Sequence, residues 1–324
     1  MKNYPRTIGL VIGALYGLLL RLMFEWDALH NEYEIVSTSF LLLAPFATGA
    51  IAVFFGSRAG RLSVGAQIGT AIGTMVFFLI AMFVLFIEGM ICIMLVLPVF
   101  MIASIIGGLA MGLALRLVRY NGAVVSCFAL LPVAFAPLES RLTPDSHERT
   151  VVNTVVIDAS ATEIWNNLTS VSNIEKEELG FSYTHAIGVP RPLQAAMDGA
   201  GVGAVRTSQW EKGVQFKEVV TQWQPPYRLS YDFDIPPGSI PRDALDRHVE
   251  IGGEYFTVVS GAYTIRPLSA EQCEVTLQTT YANRSNLKLY GDLWGDFVFD
   301  DFHQSILRLI KHRAERESRA QETT

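Results

Sequence analysis

Arg206 and Glu218 are the residues whose types and spacing point most directly to chemistry. Between them runs Trp210-Glu211-Lys212-Gly213-Val214, which reads as a three-residue hairpin loop with Gly213 where the turn wants positive φ. That register pairs Trp210 with Val214, Ser208 with Phe216, Arg206 with Glu218 and Ala204 with Val220. One strand face then carries Ala204, Arg206, Ser208, Trp210, Phe216, Glu218 and Val220, and the other Thr207, Gln209, Gln215, Lys217 and Thr221. The first face is apolar and turns inward, so Arg206 and Glu218 form an opposite-charge pair on an inner wall. Such a pair has two readings. Each charge compensates the other's burial, or the guanidinium grips an anionic headgroup or carboxylate at two points while Glu218 orients it.

Aromatic side chains extend this wall. Leu229, Tyr231 and Phe233 share one alternating face, as do Tyr255, Thr257, Val259, Gly261, Tyr263 and Ile265, and Cys273, Val275, Leu277, Thr279 and Tyr281. Tyrosine offers an apolar ring with a polar tip, which suits either an amphipathic guest or plain core packing. The candidate ligand-binding set is Arg206, Trp210, Phe216, Glu218, Tyr231, Tyr255, Tyr263, Tyr281 and Trp294. For acid–base chemistry the candidates are Glu218 and His248, the latter in a segment, 235–253, that equally suits a surface helix or lid. His303, next to Phe302, falls off the apolar stripe of its helix and is expected in solvent. There is no metal-ligand spacing, phosphate-binding loop or dinucleotide fingerprint. Gly199-Ala-Gly-Val-Gly203 precedes a strand and so offers phosphate no helix N-terminus. No metal or cofactor is expected.

The elements that position these residues begin after a polar linker, 141–150. A β-branched strand, 151–157, leads into Ser160-x-x-Glu163, a capping box that opens a helix. Strand patterns follow near 203–210, 214–223, 227–235, 254–266 and 272–283. A long helix spans about 287–316, with Trp294, Val298, Phe302, Ile306 and Leu309 on one apolar face, and a polar tail, 317–324, ends the chain.

Val155-Val-Ile-Asp-Ala-Ser-Ala-Thr-Glu-Ile-Trp165 and the terminal helix from Tyr290-Gly-Asp-Leu-Trp294 to Glu315 resemble the START-like, or helix-grip, superfamily (SRPBCC). That group includes birch-pollen-allergen-like proteins and the polyketide cyclase/dehydrase and lipid-transport family. The likeness spans about 150–316 and implies a curved antiparallel sheet wrapped around a long C-terminal helix, enclosing a cavity for hydrophobic or amphipathic ligands. Some members of the superfamily are enzymes. The resemblance also implies a bacterial host.

Residues 1–140 are of another kind. They hold seven of the 25 basic and six of the 31 acidic side chains of a 324-residue chain that is 50% hydrophobic and has a net charge of −6. A wholly soluble protein is excluded, and so is a basic nucleic-acid binder, because the polar part is acidic. Five apolar stretches, 7–24, 36–56, 68–87, 90–115 and 121–138, approach the length that crosses a bilayer. The fifth is short and contains Pro132 and Pro137, so a re-entrant path is its alternative. Lys2, Arg6, Arg58, Arg61, Arg116 and Arg119 all fall on one side of these spans, while Glu25, Asp27, Glu32, Glu34 and Glu88 fall on the other. The charge bias puts the N-terminus in the cytoplasm and, if the fifth stretch crosses, the second domain outside it. Arg21 and Glu88 lie at matching span ends and either pair or snorkel separately. Gly9, Gly13 and Gly17, with Gly65, Gly69 and Gly73, make small-residue faces for packing within the chain or for self-association. Cys92, Cys127 and Cys273 leave the redox compartment open.

The expected fold is therefore a multi-span α-helical membrane region followed by an α+β helix-grip domain. The expected function is membrane-anchored binding of a lipid or polycyclic small molecule. The alternatives are a cyclase or hydrolase working in the same cavity, and a ligand sensor signalling through the spans.

Overall fold

The computed structural model describes residues 4–26, 37–118, 120–139, 141, 146–236, 239–241, 244–245, 252–253 and 255–322. The chain divides into two units, Met1–Asp145 with Ser285–Leu287, and Ser146–Arg284 with Lys288–Thr324.

In the first unit, α1 (Tyr4–Phe24), α2 (Ala44–Gly56, entered through a π-helical turn at Ser39–Leu43), α3 (Val64–Val84), α4 (Met90–Leu117) and α5 (Gly122–Glu139) are each long and apolar enough to cross a bilayer by length and composition. Ser63 caps α3 by accepting from Ala66 N at 3.3 Å. α2 is the inner helix. Gly49 on α2 abuts the Ser104 carbonyl of α4, and Gly107 on α4 abuts the Phe46 carbonyl of α2, so a side chain at either place would collide with backbone. Gly9, Gly13 and Gly17 of α1 lie against α2 and α3, next to Ala52, Thr48 and Phe78; Gly73 lies near Leu10, Gly69 near Arg6, and Gly65 faces open space.

The prolines leave α5 helical, and it runs antiparallel along the whole of α2. Tyr120, just before α5, stacks on Phe54 at 4.2 Å, and Phe128 stacks on Phe46 at 5.7 Å. At the far end, the Glu139 carboxylate accepts from Thr38 N at 2.6 Å, Ser39 N at 2.8 Å and Ser39 Oγ at 2.7 Å. Those N–H groups would otherwise be orphans of the helix start. The Arg21–Glu88 pair forms, and it includes Glu25. Arg21 Nε and Nη2 reach Glu88 Oε1 at 2.8 and 2.5 Å, and Nη1 reaches Glu25 Oε2 at 2.6 Å.

The second unit is a seven-stranded antiparallel sheet of β1 (His147–Ile157), β2 (Pro192–Met197), β3 (Val205–Trp210), β4 (Gln215–Gln224), β5 (Arg228–Asp234), β6 (Phe256–Pro267) and β7 (Cys273–Asn283), in the order β1-β7-β6-β5-β4-β3-β2. Between β1 and β2 lie α6 (Ala161–Thr169), α7 (Lys176–Leu179) and α8 (Tyr183–Ala186), and α9 (Lys288–Glu322) closes the chain. This is the helix-grip arrangement of sheet and terminal helix. The capping box forms as expected: Ser160 N donates to Glu163 Oε2 at 2.8 Å, and Glu163 N to Ser160 Oγ at 3.4 Å. β2 went unread in the sequence, β1 begins inside the expected linker, and α9 continues through most of the expected tail.

Two expectations are corrected. The pairing of β6 with β7 shifts between Val258 and Ser260, a bulge that inverts the strand's alternation. Phe256 and Val258 thus take the inner face, and Tyr255 and Thr257 leave the face that carries Tyr263. The second correction concerns α9. Its deepest line is Phe299, His303, Leu307, Ile310 and Ala314; of the expected stripe Leu309 is buried too, while Trp294, Val298, Phe302 and Ile306, one position round, are only half-buried. The expected solvated His303 is instead fully buried. It meets Asn153 Oδ1 through Nδ1 at 2.8 Å and Thr279 Oγ1 through Nε2 at 2.7 Å.

Polar pairs tie α9 to β1 along their lengths. His147 Nε2 meets Asp292 Oδ2 at 3.0 Å, Arg149 Nη2 donates to Asp296 Oδ2 at 2.6 Å, and Asn153 Nδ2 donates to Asp300 Oδ1 at 2.5 Å.

Burial holds the His303 imidazole down to about 4 from its usual 6.5. The unfolded chain takes up this proton as pH falls below 6.5 and the folded chain does not, so stability is full above 6.5 and is lost between 6.5 and 4. The expected loss from this residue is about 3 kcal/mol. In denaturant unfolding of the full chain in detergent, followed by tryptophan fluorescence, His303→Gln should lose about that much less than wild type over this pH range. Equal losses would reject the assignment.

Candidate functional site

The hairpin β3–β4 forms in the expected register, with Arg206 opposite Glu218 and Ser208 opposite Phe216. Its loop is Glu211–Gly213, with φ of 56° at Lys212 and 74° at Gly213. Arg206 Nη1 donates to Glu218 Oε2 at 2.5 Å, and the two side chains are only 9% and 5% exposed. Arg206 Nε donates to the carbonyl of Thr169 at 3.2 Å. Thr169 ends α6, so the cation sits against a helix C-terminus, whose last carbonyls lack intrahelical partners and whose dipole favours positive charge. A guanidinium has more N–H donors than the two engaged here, and the remainder have no protein partner among the described residues.

Aromatic rings continue from the pair. Trp210 lies 5.6 Å from Phe216, Phe216 5.6 Å from Phe233, Phe233 5.4 Å from Tyr231, and Tyr231 6.3 Å from Tyr263, centroid to centroid. On the α9 side Phe302 stacks on Trp210 at 5.1 Å. The Trp210 indole donates to Ser208 Oγ at 2.9 Å. Tyr231 fits only because Gly261 lies beneath it: a Cβ at that position would come within 2.6 Å of the ring.

Burial dominates the electrostatics. It pushes the Glu218 carboxyl above its ordinary range against the pull of Arg206. For Arg206 burial is the largest single influence and works the other way, but Glu218 and the nearby Tyr263 and Tyr231 together outweigh it and hold the guanidinium charged. The Tyr263 hydroxyl is pushed up to about 12 and that of Tyr231 is raised further, both chiefly by burial. The site therefore presents a fixed cation, two neutral hydroxyls and a carboxylate at the end of an aromatic wall, a set able to bind the acceptor end of a largely apolar molecule.

The structure brings together Arg206, Trp210, Phe216, Glu218, Tyr231 and Tyr263. It does not bring the other candidates to them. Tyr281 belongs to a separate cluster with Phe256 and Phe299, and its hydroxyl donates to Asp296 Oδ1 at 2.8 Å and the Asp292 carbonyl at 3.1 Å. Tyr255 lies before β6, off the inner face, with its carbonyl accepting from Arg284 N at 2.9 Å. Trp294 is half-buried beside Tyr290 and Phe297. His248 lies outside the described residues. No group of three metal-ligating side chains occurs among the described residues. The sequence reading passed over His185, which is buried on α8 next to Phe302. Its one local signal is Ser182 three residues earlier, which caps the short helix by accepting from His185 N at 3.2 Å.

No family model matches the chain, and no curated protein matches it significantly. Solved structures similar to it include a point mutant of norcoclaurine synthase from Thalictrum flavum in complex with a transition-state analogue. That likeness has 13% identity and a TM-score of 0.33, over 54% of this chain and 99% of that one. A protein from Nitrosospira multiformis is similar at 16% identity and a TM-score of 0.32, over 53% and 99% of the two chains. The Zhui aromatase/cyclase from a Streptomyces species is similar at 15% identity and a TM-score of 0.31, over 52% and 96%.

Removing one member of a buried pair leaves an uncompensated charge, whereas replacing both with apolar groups is often near neutral. Arg206→Met alone should cost about 3–5 kcal/mol of stability. The deficit should be larger at pH 8 than at pH 5, because Glu218 escapes it by protonation. Arg206→Met with Glu218→Leu should recover most of the loss. Chemical unfolding of the three proteins at both pH values tests this, and a double variant no better than the single one would contradict it.

Proposed function

We propose that the chain is a membrane-anchored binding module for a hydrophobic or amphipathic ligand, a lipid or polycyclic small molecule, held in the helix-grip unit. The observation that carries this reading is the buried Arg206, paired with Glu218, whose remaining N–H donors have no protein partner among the described residues, at the end of a continuous aromatic wall. Water-exposed arginine needs no such enclosure, while an arginine built into an apolar interior suits a guest with one polar end. Trp210, Phe216, Tyr231 and Tyr263 hold the apolar body in this reading. Tethering keeps such a pocket near the bilayer that supplies its guest.

Five apolar helices support the anchor, and the basic residues at one end of them support an N-terminus in the cytoplasm. The contacts of α5 along α2 support reading it as a fifth crossing; with an N-terminus in the cytoplasm, that reading gives the second unit an extracytoplasmic location. A second reading, a cyclase or hydrolase, draws on Glu218, whose raised carboxyl has the character of a general acid.

Native mass spectrometry of the detergent-purified full chain, with organic extraction, tests the binding reading. A discrete bound mass is expected on wild type and not on the folded Arg206→Met/Glu218→Leu protein. An empty wild type, or a ligand equally retained by the double variant, would remove this reading. For orientation, Ser146→Cys in a Cys127→Ser background should react with an impermeant maleimide on intact cells, and Arg61→Cys only after permeabilisation. The reverse pattern would overturn the topology.

A further inference from the structure

His185 holds a buried acceptor that nothing among the described residues satisfies. It sits on α8, whose start is clamped by Asp301 of α9: the carboxylate accepts from Ser182 Oγ at 2.6 Å, Tyr183 N at 3.1 Å and Thr184 N at 2.8 Å. The His185 side chain cannot swing out, since the residue is 7% exposed. Its Nδ1 lies 3.2 Å from the carbonyl oxygen of Val189. A carbonyl only accepts, so Nδ1 carries the proton and Nε2 is left with a lone pair. That Nε2 is buried and has no hydrogen-bond partner among the described residues.

Groups buried in this way are nearly always paired in folded proteins, by protein, water or a bound molecule. The ring meets Phe302 edge-on at 6.4 Å, and Phe302 is the ring that stacks on Trp210 of the site wall. Arg191, Asp301 and Glu211 are the charged groups that act on it. Burial outweighs them and lowers its proton affinity, so the imidazole is neutral at pH 7.

We propose that His185 Nε2 is the second polar contact of the ligand site, accepting a hydrogen bond from a hydroxyl on the guest. This rests on the binding reading above and narrows it. The guest carries an acceptor or anionic group for Arg206 and a separate hydroxyl donor for His185, joined by an apolar, ring-containing body that lies along the Phe216–Trp210–Phe302 aromatics. A purely hydrocarbon tail at this end would leave Nε2 unsatisfied.

The test uses a hydroxynaphthoate and its methyl ether, titrated by fluorescence into the full chain in detergent. The ether lacks the donor and adds one methyl group. Wild type should bind the hydroxy compound about tenfold more tightly than the ether, the worth of one buried hydrogen bond. His185→Phe should abolish that preference while keeping the ether's affinity, and His185→Leu serves the same comparison if the larger ring does not fit. His185→Gln, which can place an acceptor near the Nε2 position, should restore part of the preference. Because an orphaned acceptor is removed, His185→Phe should also melt within a few degrees of wild type.

Arg206→Met/Glu218→Leu should weaken both compounds and leave their ratio unchanged. Binding without a preference, or a preference that survives His185→Phe and His185→Leu, would overturn the role of His185 and leave the binding reading standing. If neither compound binds wild type, the binding reading falls, and this proposal with it.

Discussion

Three polar pairs fix the long helix α9 along β1, and the second unit is organised by them. Asp292, Asp296 and Asp300 of α9, four apart, meet His147, Arg149 and Asn153 of β1. Once these pairs form, the rotation of α9 is set. Phe299, His303, Leu307 and Ile310 must face the sheet, and Phe302 must turn toward Trp210 and α8. The position of the aromatic wall, the clamp that Asp301 places on α8 and the burial of His185 all follow from that rotation.

The same constraint explains why so many polar groups are buried in this unit without evident penalty. His303 has a donor on one side and an acceptor on the other, Tyr281 is held by Asp296 and the Asp292 carbonyl, and Asn283 donates to Asp292 at 2.9 Å. Satisfied networks of this kind specify one arrangement of helix on sheet. Against that background Arg206 and His185 differ from their neighbours. Among the described residues, Arg206 retains N–H donors without protein partners and His185 Nε2 is one of a few buried polar atoms without one, as are Thr184 Oγ1 and Trp294 Nε1; Arg206 and His185 are the two that adjoin the aromatic wall.

How much of this was legible in the sequence depended on whether the signal was local. The Arg206–Glu218 register could be read because a glycine-bearing loop and an alternating hairpin determine it within about 20 residues. The capping box at Ser160 is equally local. The bulge at Val259 was not readable, since Tyr255, Thr257, Val259, Gly261 and Tyr263 keep an unbroken alternation and the extra residue shows only against β7. Leu309 apart, the face of α9 was misjudged by one position because hydrophobic periodicity ignores histidine and aspartate, and here those residues point inward to partners on β1 and β7. Beyond the cap at Ser182, His185 gave no signal, because a four-residue helix has no periodicity to reveal which side is buried.

The β1–α9 contacts also set the order in which the unit can be made. The three pairs join residues 145 to 147 positions apart, and β7, the strand on which β1 lies, is also among the last elements of the chain. On the ribosome β1 emerges directly after α5, carrying the β-branched run Thr150-Val-Val-Asn-Thr-Val-Val-Ile157, and has no neighbour until more than a hundred further residues have been added. Loss of α9 would remove the partners of His147, Arg149 and Asn153 and leave that run on an uncovered sheet edge, a form prone to pairing with other chains. β1 is thus completed by β7 and α9 together, two elements that follow it by more than a hundred residues.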